Sequence, residues 1–364
     1  MLRYSYLCGF LFFCLFSNLY AQNEEETFLD NVTISGYLET YFMFDASQPP
    51  GNELPDFFYN FNRHQEFNLN VGILKAAYES ERVRANFALM AGTFTQANMA
   101  HEPAGLRNIF EANVGYQLAK EKNLWIDVGV FESHIGFESA IGADCWNMTR
   151  SIKAENSPYY LSGAKVTYIT DDERWLMSGM LLNGWQRIQR VQGSKVPSFG
   201  HQVQFRPNEN TIFNSSSFIG TEYPDINRRM RYYHNFWMQI DISERFGLIA
   251  GFDYGLEQIQ KRSSTLRNWY SPIFNVRYKL SDKLAVAMRY EYFNDRSNIA
   301  LNTSPQNGFI HHGASINLDV NLHENVLFRV EARSLESDRL HYGFIFGDPI
   351  LRSYFFGTSL SARF

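Results

Sequence analysis

Residues 353–364 read SYFFGTSLSARF. Tyr354, Phe356, Leu360, Ala362 and Phe364 fall on one side of a two-residue period, and Ser353, Gly357, Ser359, Ser361 and Arg363 on the other. A strand sends alternate side chains to opposite faces, so the stretch predicts a strand with one apolar and one small, hydrated face. A final strand leaves a row of unpaired N–H and C=O groups, and pairing with the first strand closes a barrel and removes that edge. An edge strand of a soluble β-protein is the competing reading, and the rest of the chain decides between them.

The same alternation recurs upstream. It predicts strands over 33–46, 64–79, 83–95, 108–119, 124–136, 159–170, 174–187, 199–206, 211–223, 230–241, 246–259, 271–280, 284–296, 310–321 and 325–335. With 353–364 that makes about sixteen, and no stretch after Thr33 reads as an amphipathic helix. The connections alternate in length. Short charged turns fall at 80–82, 120–123, 171–173, 207–210, 242–245, 281–283 and 322–324. Longer links fall at 47–63, 96–107, 137–158, 188–198, 224–229, 260–270, 297–309 and 336–352. Short turns at one rim and long loops at the other are the pattern of a transmembrane up-and-down antiparallel β-barrel. A sandwich or propeller has no reason to keep that parity. An even strand count puts both ends of the barrel on the short-turn, periplasmic side.

The faces can be read strand by strand. Arg329, Glu331 and Arg333 oppose Phe328, Val330 and Ala332; Asn275, Arg277 and Lys279 oppose Phe274, Val276 and Tyr278; Arg289 and Glu291 oppose Met288 and Tyr290. Ionised groups on one face are costly in a dry core. They need water, and about sixteen closed strands enclose a lumen wide enough to supply it. The apolar face then meets lipid, with Tyr159, Tyr160, Trp175, Trp269, Tyr270 and Tyr354 near strand ends suited to the interfacial girdles. Stretches 174–187 and 211–223 alternate poorly, and their faces stay unassigned.

Composition agrees. Mean hydropathy is negative, and after the N-terminus no uncharged apolar run reaches the roughly 20 residues of a membrane helix. A barrel escapes that test because only alternate residues face lipid. The net charge of −5 comes with no basic block, so nucleic acid is not an expected partner. Arg3 followed by apolar 7–19 and Leu19-Tyr20-Ala21 reads as a secretory signal peptide over 1–21. Residues 22–32 are then a lead-in and 33–364 the barrel. Of three Cys, Cys8 and Cys14 lie in that leader, leaving Cys145 without an intramolecular partner.

Residues 124–184 carry the most individual pattern. Gly129–Phe131, Gly136–Glu138, Asn147–Ser151, Pro158 and Asn183–Trp185, together with SGYLETYFMFD at 35–45, resemble β-barrel porins of the OmpL-like family. The resemblance implies a porin-like outer-membrane protein. The alternating last strand ending on Phe364 resembles the closing strand of bacterial outer-membrane barrels, and implies recognition by the barrel assembly machinery. Lipid and small hydrophilic solutes are the other expected partners.

The lumen-facing candidates are Glu39, Glu66, Glu111, Arg277, Lys279, Arg289, Glu291, Arg329, Glu331 and Arg333. Basic groups cluster on late strands and Glu39, Glu66 and Glu111 on early ones, which suggests opposed walls and a transverse field. The longest connection, 137–158, carries Glu138, Asp144, Arg150, Lys153 and Glu155 beside Ile141, Cys145, Trp146 and Met148. A loop with its own apolar anchors is expected to do more than connect. It either enters and narrows the lumen or caps the surface. No catalytic, metal or cofactor site is expected: Ser133-His134 and His311-His312 are adjacent on strands and so diverge, and no nucleophile elbow or metal motif occurs. Three functions remain open: passive diffusion of small hydrophilic solutes, a non-conducting barrel used in surface binding, and a barrel-embedded hydrolase.

Overall fold

A computed structural model describes residues 28–301, 308–338, 344–345, 348–349 and 351–364. The expected leader, 1–21, lies outside them. Among the described residues a 3-10 turn, Phe28–Asn31, precedes the first strand.

The strands are β1 (Val32–Asp45), β2 (Phe67–Glu79), β3 (Val83–Ala91), β4 (Ile109–Gln117), β5 (Asn123–Glu132) and β6 (Tyr160–Ile169). They continue with β7 (Trp175–Leu182), β8 (Ser198–Asn208), β9 (Thr211–Gly220), β10 (Arg231–Asp241), β11 (Phe246–Gln258) and β12 (Leu266–Lys279). Then come β13 (Leu284–Asp295), β14 (Phe309–His323), β15 (Val326–Ser337), a small hairpin of β16 (Phe344–Ile345) and β17 (Asp348–Pro349), and β18 (Arg352–Arg363). Except for the hairpin, all join one closed barrel of sixteen strands, each antiparallel to its sequence neighbour, with β18 between β15 and β1.

The closure is local chemistry. β1 and β18 pair from Tyr37↔Arg363 to Asp45↔Phe355. Gly36 N–H donates to Phe364 O (2.7 Å) and Phe364 N–H to Gly36 O (3.1 Å). The terminal ring lies over Gly36, where a Cβ would stand 2.2 Å from it. A side chain at 36 would have to turn the far end of that ring aside.

The wall is one residue thick. On β15, Arg329 and Glu331 are 1% and 2% exposed while Val330 between them is 40% exposed. Phe274, Tyr290, Ile316 and Phe356 also stand in the open on the outside. Among the described residues no second sheet packs on this apolar face, and the last strand is paired on both sides in a closed barrel and not left as an edge. Several expected boundaries move. Residues 64–66 belong to the loop before β2, and β7 ends at Leu182. β3 ends at Ala91, and Thr93–Asn98 forms a short helix rather than more strand. The two unassigned strands now have faces: Ser178, Met180 and Leu182 of β7, and Asn214, Ser216 and Phe218 of β9, are the buried alternates.

The core lies inside the barrel, toward the long-loop end. Phe57, Phe58 and Phe61 from loop 46–66, and Met148 and Ile152 from loop 133–159, meet wall residues such as Trp269 and Phe309. Phe57 stands 5.0 Å from Phe309, and Phe58 5.1 Å from Phe355, centroid to centroid. Burial of these rings holds both loops in the lumen.

Candidate functional site

The site is loop 133–159 and the wall that grips it. The loop has its own frame. It makes a 3-10 turn at Gly142–Asp144 and a helical turn at Ile152–Glu155 whose N-cap Ser151 Oγ accepts from Ala154 N–H (3.2 Å). Arg150 is wholly buried at its centre and donates to the carbonyls of Ser139 (2.7 Å), Ala140 (3.0 Å) and Met148 (2.5 Å). Glu138 accepts from Ser151 N–H (2.9 Å) and Oγ–H.

A loop inside a barrel has backbone groups that neither water nor a sheet satisfies, and each orphan would cost about 1–3 kcal/mol. The wall supplies the partners. Arg329 of β15 donates to the carbonyls of Gly142 (2.7 Å), Cys145 (2.5 Å) and Asn147 (3.2 Å), and pairs with Asp319 of β14 (2.9 Å). Arg289 of β13 donates to Thr149 O (2.5 Å) and Oγ1 (3.0 Å). Glu331 accepts from Thr149 N–H (2.7 Å), and Glu291 from Ile152 N–H (2.7 Å). Asn317 Oδ1 accepts from Met148 N–H (3.1 Å), and Tyr37 OH from Ala143 N–H (3.1 Å). Lys153 Nζ reaches Asp253 of β11 (2.9 Å). A guanidinium presents five N–H donors in a fixed fork, which suits a side chain that must serve several carbonyls and a carboxylate together.

The charges balance. Arg289, Arg329, Arg333 and Arg150 are packed among Glu138, Glu291, Glu331 and Asp319, with Arg333 to Glu291 at 2.6 Å and Arg289 to Glu331 at 3.4 Å. These arginines therefore form no free basic wall, and the expected transverse field does not arise from them. Glu39, fully buried, accepts from Asn70 (2.9 Å) and lies against Gly142, where a Cβ would be 2.2 Å from its carboxylate. Glu66 is off the wall, in loop 46–66, paired with Arg63 (2.8 Å). Arg277 faces inward toward Asp319 (3.4 Å), and Lys279 is exposed at the short-turn end. There Trp146, Arg245, Arg277, Lys279, Asp241 and Glu244 border a recess of about 660 Å³.

Across the lumen the wall is less covered. Lys75 pairs with Glu111 (2.6 Å), and Arg84 holds Asp127 through two bonds (2.7 and 2.6 Å); both cations are a third exposed. Glu132, exposed, lies in the field of Glu111, Lys75, Asp144 and Lys165. Asp144 projects from the loop and pairs with Arg363. Sequence reasoning missed Lys75, Arg84, Asp127, Glu132, Lys165 and Asp253. Lys75, Arg84 and Asp127 sit on inner-face alternates, so the parity that picked out Glu111 carries them too. Glu138, Arg150, Lys153 and Glu155, by contrast, are spent within the loop or on its anchors. Glu155 joins it to loop 46–66, accepting from Tyr59 N–H (3.1 Å) and Asn60 N–H (3.3 Å). Burial pushes this carboxyl up to about 7, against the pull of Arg150 and the amide donors.

The family described as "Putative beta-barrel porin-2, OmpL-like" matches residues 31–364. The chain belongs to that family. It is a porin-type barrel, and solved structures share its fold. Outer-membrane expressed OmpT of Vibrio cholerae is 9% identical, with a TM-score of 0.59, 92% of this chain and 97% of that one covered. The anion-selective porin from Comamonas acidovorans is 9% identical at TM-score 0.58, covering 92% and 99%. Pseudomonas putida OprB is 10% identical at TM-score 0.59, covering 92% and 95%. No curated protein matches the sequence.

Proposed function

We propose that this porin-family barrel is a narrow, non-enzymatic pore of the outer membrane through which small hydrophilic solutes diffuse passively. The observation that carries the reading is the asymmetry of the lumen. Loop 133–159 is fixed to the β10–β1 side by buried ion pairs, while Lys75, Arg84 and Glu132 on the other side, and Asp144 at the loop's own edge, stay open to water. The path runs between that loop and the β2–β6 arc. Arg and Lys alternate there with Glu and Asp, so selectivity between ion signs is weak. The hydrolase reading loses support because His134 Nε2 is engaged with Ser217 O (2.9 Å) and Ser133 Oγ with Ile135 N–H (3.1 Å), so the pair does not converge. Export by residues 1–21 and delivery to the assembly machinery by Phe364, which is 73% exposed, complete the proposal.

One observation favours a second reading. The aromatic fill of the long-loop half is dense enough to suit a closed barrel used for surface binding. Purified chain in planar bilayers and in liposomes separates the two. The pore reading expects stepwise conductance and swelling in small sugars. Silent bilayers from folded, heat-modifiable protein would replace it with the closed barrel.

A further inference from the structure

The outer face carries one feature that lipid does not explain. Along the paired row Gly179↔His201↔Ser217↔His234, on β7 to β10, the outward residues are polar or lack a side chain. His201 and His234 are exposed, and their rings are 6.0 Å apart. Ser217 Oγ meets His201 Nδ1 at 2.5 Å, and Ser215 Oγ meets His234 Nε2 at 3.3 Å. Among the described residues no other two imidazoles lie side by side. Apolar side chains enclose the island on both sides: Phe199, Ile219 and Tyr232 toward the long loops, Val203, Phe213 and Phe236 toward the short turns.

Its depth matters. His201 is four residues from Phe205, whose ring stacks on Trp175 at 4.2 Å near the short-turn rim. At roughly 3.4 Å per residue and a tilt near 45°, the island sits about 10 Å inside a band roughly 25 Å tall. Each imidazole keeps one ring nitrogen beyond its serine contact, and hydrocarbon offers that nitrogen nothing.

We propose that the outer face of β8–β10 is a contact surface between two copies of this chain, with Ser217 near a two-fold axis along the membrane normal. This inference rests on the membrane reading of the outer face. A partner must bring polar groups to the same depth in lipid, and a second copy inserted in the same sense does so automatically. Neutral imidazole and hydroxyl each both donate and accept, so the island complements itself across a two-fold axis. Gly179, Ser215 and Ser217 form a low floor that lets the two walls approach.

The test uses full-length protein in its native membrane. Ser217→Cys is expected to form an oxidant-dependent cross-linked dimer that neither the parent chain nor Leu360→Cys, on the far side of the barrel, forms. His201→Leu with His234→Leu is expected to halve the particle mass in mild detergent while leaving the conductance step intact. Cross-linking at Ser217→Cys no greater than at Leu360→Cys, a product of any other mass, or a single-chain mass for the parent would overturn the proposal. If the double variant does not fold, the two cysteine variants decide alone. A chain that conducts but stays single overturns only this contact, whereas a chain absent from the membrane overturns the reading beneath it.

Discussion

Arg329→Ala should release the loop. Arg329 is 1% exposed and holds three loop carbonyls and Asp319. A hydrogen bond to a charged group is worth about 1.5–3 kcal/mol, and removing one partner of a buried ion pair costs about 3–5 kcal/mol. These losses overlap and do not add. Asp319 keeps Asn317 Nδ2 (2.6 Å) and Arg277 (3.4 Å), which places the expected cost at the low end, near ~3 kcal/mol. At about 1.4 kcal/mol per decade, the detached population rises roughly a hundredfold. In single-channel recordings this should appear as brief excursions to a higher conductance level. Arg329→Lys should recover little, because one ammonium cannot serve three carbonyls and both carboxylate oxygens. A heat-modifiable Ala variant with the parent step, the parent noise and unchanged protease resistance within 133–159 would refute the clamp.

Other consequences can be checked alongside. Glu155 binds its proton more tightly in the folded loop than in a free chain because burial disfavours the carboxylate, so the stability it lends the docked loop is fully present below the ordinary carboxylate range and is lost as pH rises through about 7. Channel noise should therefore grow between pH 5 and 8, roughly, and Glu155→Gln should flatten that dependence; parallel profiles for the two proteins would count against the tie. Gly36→Val should turn the Phe364 ring off its seat, and because that ring is 73% exposed the cost should stay below about 1 kcal/mol, with heat-modified gel mobility close to the parent's; a large drop in the unfolding temperature would count against this. Lys153→Ala strands Asp253 with Tyr233 and Asn235 and should cost about 3–5 kcal/mol in a denaturant melt, whereas a double change that also replaces Asp253 by Asn should cost less.

Parity made the fold legible. A period of two assigned inside and outside for β12 to β15 and β18, and alternating turn length gave the sense of the barrel. Where the signal failed, the physics is local. β9 alternates poorly because it places Phe218 inward in the aromatic fill and Ser215 and Ser217 outward. Residues 93–98 are half a helix long and carry no period to detect. The site was legible only in part. Alternation reports that Arg289, Arg329 and Arg333 point inward, and a polar inner face looks the same whether it meets water or a loop backbone. That loop 137–158 carries charges could be read from the chain. That Arg329 finds Gly142, Cys145 and Asn147, well over a hundred residues away, is long-range pairing that no local pattern encodes.

Deleting 142–153 removes the segment held against the β11–β1 wall and leaves its wall anchors facing water. Single-channel conductance of that deletion beside the parent chain is the most direct test. A larger, steady step from the deletion, with the barrel still heat-modifiable, is the result expected if the held loop sets the width of the path. Equal steps from the two proteins would mean that solutes do not pass beside this loop.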